Sequence, residues 1–331
     1  MVTLYCTAPW VRERTPDGLD HLNEVPKWAE RAGVRGLLLF TDGESIDPWA
    51  AAQYIVERTE ELVPLVAVQP AYLHPYSAAR LVTTMGTLYG RRVDLNLITG
   101  GYLPELNAYG SFLKHDERYE RLLEYGTIMG RLLGGEQSYT HRGKHYEFIG
   151  ATLRPALPEG LAPRIFVAGN SPAAVRTAAA LDATRLTYPH PPSEYDGGSV
   201  PSGSTGIRIG IIARETSAEA WRIALRRYPE NPAGRTMREF TAGNFDADWH
   251  SDLWKASGRP SDAAGAYWLR PFRLVHEFCP YLVGNYEEVA EILLQYLRLG
   301  VTTVILHCPE AEEDVFHAMA AVRRAEDLVP S

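Results

Sequence analysis

Short apolar runs alternate with longer stretches of helical period along most of this chain. Val2 to Thr7 predicts a first strand, and Leu19 to Ala32 is helical in period, with Gly33 as its C-cap. Gly36 to Phe40 is a second apolar run, followed by the turn Thr41-Asp42-Gly43, and Asp47-Pro48 opens a helix. Val63 to Gln69 predicts the third strand, Pro75 to Tyr89 a helix, and Arg92 to Thr99 the fourth strand. Asp116 to Leu133 is a long amphipathic helix ended by Gly134-Gly135, and Ser138 to Phe148 alternates around Arg142-Gly143 as a small hairpin. Arg164 to Ala168, Ala183 to Tyr188, Gly206 to Ala213 and Thr302 to Leu306 supply four more strands. Helices are expected over Ala173–Leu181, Ser217–Arg227, Glu287–Leu299 and Glu310–Arg324.

Eight strands alternating with helices imply parallel strands joined by right-handed crossovers, so the expected fold is an α/β (β/α)8 TIM barrel. Two stretches break the alternation. Pro189 to Ser204 is rich in Pro, Gly and Ser and reads as a loop, and Tyr228 to Pro280 is a long mixed insertion. The expectation is one barrel domain over 1–331, with a hairpin insertion at about 136–150 and a lid-like insertion at about 228–280.

Composition narrows the classes. The formal charge of −8 gives no reason to expect nucleic acid or an anionic membrane as partner. No signal peptide is visible and no apolar run is long enough to span a bilayer, so the expected location is cytoplasmic. The three cysteines, Cys6, Cys279 and Cys308, form no spacing motif and read as reduced thiols.

In a barrel the chemistry lies at the carboxyl ends of the strands. Those ends carry Thr41 to Ser45, Gln69-Pro70, Asn96 to Thr99, Gly169-Asn170-Ser171, Tyr188-Pro189-His190 and His307-Cys308. An amide such as Asn96 inside a buried strand must find partners or cost ~1–3 kcal/mol; a ligand or a neighbouring backbone supplies them equally well. Gly169-Asn170-Ser171, between a strand and a helix, suits a phosphate, although small N-cap residues open many helices with no ligand. His141 and His145 have metal-ligand spacing, but on a hairpin they read as structural or solvent-exposed.

The runs LNLITGG (95–101), KHDERYERLLEYGTIMGRLL (114–133), GKHYEF (143–148) and IFVAGNSPAAVRTAA (165–179) resemble the flavin-dependent monooxygenases of the bacterial luciferase superfamily, closest to the alkanesulfonate monooxygenase branch. The similarity covers most of the chain, from about Gly33 to Arg227 and again from Leu282 to Arg323. It implies reduced FMN (FMNH2) as cofactor, O2 as co-substrate, a separate NAD(P)H:flavin reductase, and a homodimer or homotetramer. On that basis the cofactor contacts are expected at Asn96, Thr99, His115, Tyr119, Gly169, Asn170 and Ser171, and His115, Ser45 and Arg208 are the catalytic candidates. Arg118 reads more safely as an ion-pair former.

Departures from that branch concern the substrate side. Ser45 stands where those enzymes carry a cysteine, Gly210 where they carry a histidine, and Cys308 where they carry a tyrosine, while Arg208 is kept. The resemblance therefore implies oxygen insertion into a small organic substrate other than a simple alkanesulfonate, with aromatic candidates Trp10, Tyr72, Trp268 and Phe272 near it. The rival readings are an F420-dependent hydride-transferring oxidoreductase of the same superfamily and a non-catalytic flavin-binding barrel. A metal hydrolase is disfavoured, because His and carboxylate ligands do not converge.

Overall fold

The computed structural model describes residues 2–195, 204–231, 265–274 and 276–329, together with the single residues 244 and 253. The fold class is α/β, a (β/α)8 barrel, as the alternation predicts. Half of the expected loop at 189–204 and most of the expected lid at 228–280 lie outside the described residues. The chain divides into two compact units, one of residues 8–30 and 35–185, the other of residues 1–7, 31–34 and 186–331.

The first unit holds strands β2 (Gly36–Leu39), β3 (Val63–Val68), β4 (Asp94–Leu97) and β7 (Ile165–Ala168), parallel and in sequence order. Its helices are α1 (Pro16–Arg31), α2 (Pro48–Val56), α3 (Pro75–Tyr89), α4 (Leu103–Ala108), α5 (His115–Leu133) and α6 (Pro172–Ala180). The start of α2 follows from two adjacent residues. Asp47 Oδ1 accepts from the Trp49 and Ala50 N–H groups at 2.9 and 3.0 Å, and Pro48 needs no donor in the first turn. Asp94 is fully buried in β4, and its carboxylate is satisfied by Arg35 and by the Arg164 N–H.

The hairpin β5 (Tyr139–Arg142) and β6 (Glu147–Ala151) stands after α5. It is pinned by Glu124, which accepts from the His145 and Tyr146 N–H groups and lies 2.9 Å from His141 Nε2. The His141 ring therefore serves the hairpin, to which His145 contributes its backbone N–H.

The second unit holds β1 (Thr3–Thr7), β9 (Thr205–Arg214), β11 (Tyr281–Asn285) and β12 (Val301–Leu306), with β8 (Thr184–Thr187) at the division between the units. Its helices include α7 (Ser217–Arg227), the short α8 (Arg270–Arg273), α9 (Tyr286–Arg298) and α10 (Glu312–Asp327). Strand β9 is ten residues long, and its two halves pair differently. Thr205 to Ile209 run parallel to β12, and Gly210 to Arg214 run parallel to β11. Ile209 O accepts from the His307 N–H, while the next residue's N–H, on Gly210, donates to Pro280 O. Consecutive backbone groups of a strand face opposite edges, so β12 and β11 lie along opposite edges of β9. Strand β11 is an element the sequence reading did not include, hidden at the end of the long insertion. The two-residue β10 (Tyr267–Trp268) pairs antiparallel to it.

A buried ion network ties α7 and α10 to β9. Asp314 accepts from Arg214 at 2.6 Å and from Arg227 at 2.7 Å. The two guanidinium groups outweigh the effect of burial and hold its carboxyl below the usual range.

Candidate active site

In the first unit, polar side chains gather at the carboxyl ends of β3, β4 and β7. Asn96 pairs with Ala67 on one side and Phe166 on the other. Side chains alternate along a strand, so Gln69 shares the face of Ala67 and Asn96. Gln69 is fully buried, and neither its Nε2 nor its Oε1 has a hydrogen-bond partner among the described residues. Asn96 Oδ1 and, beyond β7, Asn170 Oδ1 are buried and unpartnered as well. The backbone accommodates the Gln69 amide closely: a Cβ on Gly100, where φ is +75°, would stand 2.2 Å from Gln69 Nε2. Thr99 is buried but satisfied, since its hydroxyl donates to Gly100 O.

The structure brings His115, Tyr119 and Gly169 together. Tyr119 is buried, and its hydroxyl donates to Ala168 O at 2.9 Å, holding the end of β7. The His115 ring lies 5.1 Å from the Tyr119 ring, with Nδ1 2.7 Å from Asp116 Oδ1. Gly169 has φ +130°, and a Cβ there would fall 2.2 Å from the Tyr119 hydroxyl. Ser171 is the N-cap of α6, its hydroxyl accepting from Ala174 N–H at 3.2 Å. Arg118 is buried, and its Nη1 donates to Leu113 O at 2.9 Å.

Ser45 occupies a different place. Its hydroxyl makes two long 3.4 Å contacts with the Val11 backbone and fastens that loop. The aromatic candidates divide between surface and core. Trp10 and Tyr72 are exposed and bonded to Asp42 and Asp47, whereas Trp268 and Phe272 are core residues. Trp268 packs against Trp221 and Tyr228.

In the second unit, Arg208 lies on the β9 face that also carries Gly206 and Gly210. Its guanidinium donates to the Tyr188 hydroxyl at 2.9 Å. Burial pulls the Arg208 pKa down, but Tyr188, Cys279 and Glu277 outweigh it and hold the group charged. Tyr281 fills the space over Gly210, where a Cβ would meet its ring at 2.2 Å. The Tyr281 and Tyr228 hydroxyls are hydrogen-bonded to each other at 2.5 Å. His307 lies beyond the end of β12 on the same face, with Nε2 3.1 Å from Glu277 Oε1. Sequence reasoning named His307 only as a strand-end residue and missed Tyr281, Tyr228 and Glu277. The apolar run Tyr281-Leu282-Val283 was the available signal for the strand that brings Tyr281 there.

Buried polar groups at the carboxyl ends of parallel strands define an α/β-barrel enzyme. Residues 1–303 match the family described as luciferase-like monooxygenase, and the chain belongs to that family. It is 34% identical over 319 residues to 4-(gamma-L-glutamylamino)butanoyl-[BtrI acyl-carrier protein] monooxygenase BtrO of Niallia circulans, covering 91% of this chain and 92% of that one. EDTA monooxygenase (EmoA) from Chelativorans sp. BNC1 shares the fold with a TM-score of 0.76 at 16% identity, over 99% of this chain and 94% of that one. The oxygenating constituent of 3,6-diketocamphane monooxygenase from the CAM plasmid of Pseudomonas putida, solved with FMN, gives 0.69 at 16% identity, over 100% and 99%. The protein is thus a flavin-dependent monooxygenase.

Proposed function

We propose that this enzyme uses reduced FMN, delivered by a separate NAD(P)H:flavin reductase, to insert one oxygen atom of O2 into a small organic substrate. The observation that carries the cofactor assignment is the set of buried, unpartnered amide atoms, both ends of Gln69 and the Oδ1 atoms of Asn96 and Asn170, at strand ends of one unit. A buried amide left unsatisfied costs ~1–3 kcal/mol, so a ligand with polar edges at this place repays three such costs. The residues fit a flavin mononucleotide. Asn96 and Gln69 offer donors and acceptors to the edge of a heteroaromatic ring, with His115 and Tyr119 beside the β7 turn. The Gly169-Asn170-Ser171 turn opens α6, whose dipole favours a phosphate.

Bound flavin supplies the activation of O2, which no side chain performs. The chain's own residues bind and orient it. Tyr119 fixes the turn through Ala168, and Gly169 keeps that turn free of a side chain. Asn170 can present either end of its amide, since rotation by 180° exchanges oxygen and nitrogen. Arg208 and Tyr188 provide fixed polar contacts for a substrate in the second unit.

BtrO is named for a carrier-protein-linked acyl chain, and such a thioester is the first substrate to test. The purified protein, a flavin reductase, NADH, FMN and the candidate thioester are combined in an oxygen electrode. Substrate-dependent O2 uptake with a product 16 mass units heavier supports the reading. Repeated with F420 in place of the reductase and FMN, product formation without O2 uptake favours the F420 alternative, and binding without turnover of any substrate favours the non-catalytic one.

A further inference from the structure

We propose that the paired hydroxyls of Tyr228 and Tyr281 form a donor site for a neutral carbonyl oxygen of the substrate, such as that of an amide or a thioester. This deepens the monooxygenase reading and rests on it, because it names a chemical feature of that enzyme's substrate.

The site is built on a glycine. Tyr281 of β11 pairs in register with Gly210 of β9. Because Gly210 has no side chain, the tyrosine ring lies where a Cβ would stand only 2.2 Å from it. Tyr228, the residue after α7, is held by its N–H on Ala224 O, and its ring meets the Tyr281 ring edge to face with centroids 5.1 Å apart. The two hydroxyls lie 2.5 Å from each other. Both tyrosines line one cavity of about 20 Å³, together with Ile211, Leu306, His307 and Cys308. A space of that measure holds one water-sized group, and a carbonyl oxygen is such a group. Glu310 also lines the cavity and its side chain is 56% exposed, so the cavity reaches the surface past the end of β12.

Counting protons shows what the cavity takes. Each phenol carries one O–H and can accept two bonds. Burial pushes both phenols well up, so both protons are present near pH 7. One proton makes the bond between the two oxygens. The other has no acceptor among the described residues, whichever tyrosine donates. A buried donor left in that state costs ~1–3 kcal/mol, which a ligand oxygen would relieve. A hydroxyl that accepts one bond also donates the next more strongly. The charged groups around the cavity are already matched, Asp314 by Arg214 and Arg227, Glu310 by Arg227, and His307 by Glu277. A carboxylate would stand beside Glu310 and Asp314, and an ammonium group would turn its own protons toward an O–H. A neutral acceptor answers the open donor without either conflict.

The test uses full-length protein with tyrosines labelled at Cζ for magnetic resonance, without flavin, titrated with butyramide and, separately, with butyrate. The two resonances are assigned by their loss in Tyr228→Phe and in Tyr281→Phe. The expected result is a saturable shift of both with butyramide and none with butyrate. The infrared carbonyl band of butyramide is expected to move to lower frequency on binding, as it does for a carbonyl that accepts a hydrogen bond. In the double variant Tyr228→Phe/Tyr281→Phe that band shift should vanish and butyramide binding should weaken about 2- to 10-fold, the range of one neutral hydrogen bond. Should the double variant fail to fold, the resonance and infrared measurements on the parent decide. Unmoved resonances, equal shifts with both probes, an unmoved carbonyl band or undiminished binding by the double variant overturns the site. A parallel titration of the same sample with reduced FMN separates the two failures. Flavin binding without a butyramide response refutes the site alone, and a butyramide response without flavin binding supports the site while refuting the cofactor reading.

Discussion

Replacing Gln69 with methionine offers a test in which stability and function move in opposite directions. The side chain is fully buried and neither end of its amide meets a partner among the described residues. Methionine has nearly the same length and volume, so the swap leaves little cavity or overpacking, and such volume-conserving changes cost under about 1.5 kcal/mol. It removes two polar atoms that together incur at least one unsatisfied-group penalty of ~1–3 kcal/mol. At the middle of those ranges the flavin-free Gln69→Met protein should therefore be more stable than the parent by about 1 kcal/mol in urea, with the slope of the transition unchanged. If the amide serves the cofactor, the same change removes one ordinary hydrogen bond from the complex. That loss is worth roughly 0.5–1.5 kcal/mol, or about 2- to 10-fold in affinity for reduced FMN. Both readouts come from one protein preparation. A variant that is less stable without flavin, or one that binds reduced FMN as tightly as the parent, refutes the reasoning: the first denies the penalty and the second denies the role.

Three further outcomes follow from the structure. Gly169→Ala places a Cβ 2.2 Å from the Tyr119 hydroxyl at a φ of +130°, so it should lose ~1–3 kcal/mol of stability and weaken flavin binding. Adding Tyr119→Phe removes that overlap and should restore part of the loss, giving a non-zero coupling in a double-mutant cycle. Asp314→Ala leaves Arg214 and Arg227 without their shared buried carboxylate and should cost ~3–5 kcal/mol in urea unfolding; a loss under 1 kcal/mol would deny that the network matters. His307, raised to about 9, contributes stability that is complete below its unfolded value near 6.5 and lost as pH rises through 9. The melting difference between parent and His307→Gln should thus be largest near pH 6 and close between pH 8 and 10, and a constant difference across that range would contradict it.

Much of this was legible because local chemistry decided it. Asp47-Pro48 forms a helix start whatever surrounds it, and Asn96 stands out because an amide inside an apolar strand needs an external reason. The alternation of strands and helices gave the barrel class without any tertiary information. What escaped the sequence depends on contacts distant in the chain. Gly210 read as a lost side chain, yet Tyr281, seventy-one residues on, fills its place through a strand pairing that the intervening insertion concealed. The Ser171 hydroxyl caps α6, a bond to Ala174 N–H. The partner of the Ser45 hydroxyl, the Val11 backbone, lies thirty-four residues away in the chain. Trp268 and Phe272 could not be told from pocket residues by type, because large aromatics serve core and pocket alike.

The measurement closest to the central claim is an anaerobic titration of the purified protein with reduced FMN, followed by rapid mixing with air-saturated buffer. The account predicts saturable binding in the micromolar range, weakened by Asn96→Ala and by Asn170→Ala, and O2 consumption that depends on the bound flavin. No binding at micromolar flavin, or binding indifferent to both substitutions, would contradict it.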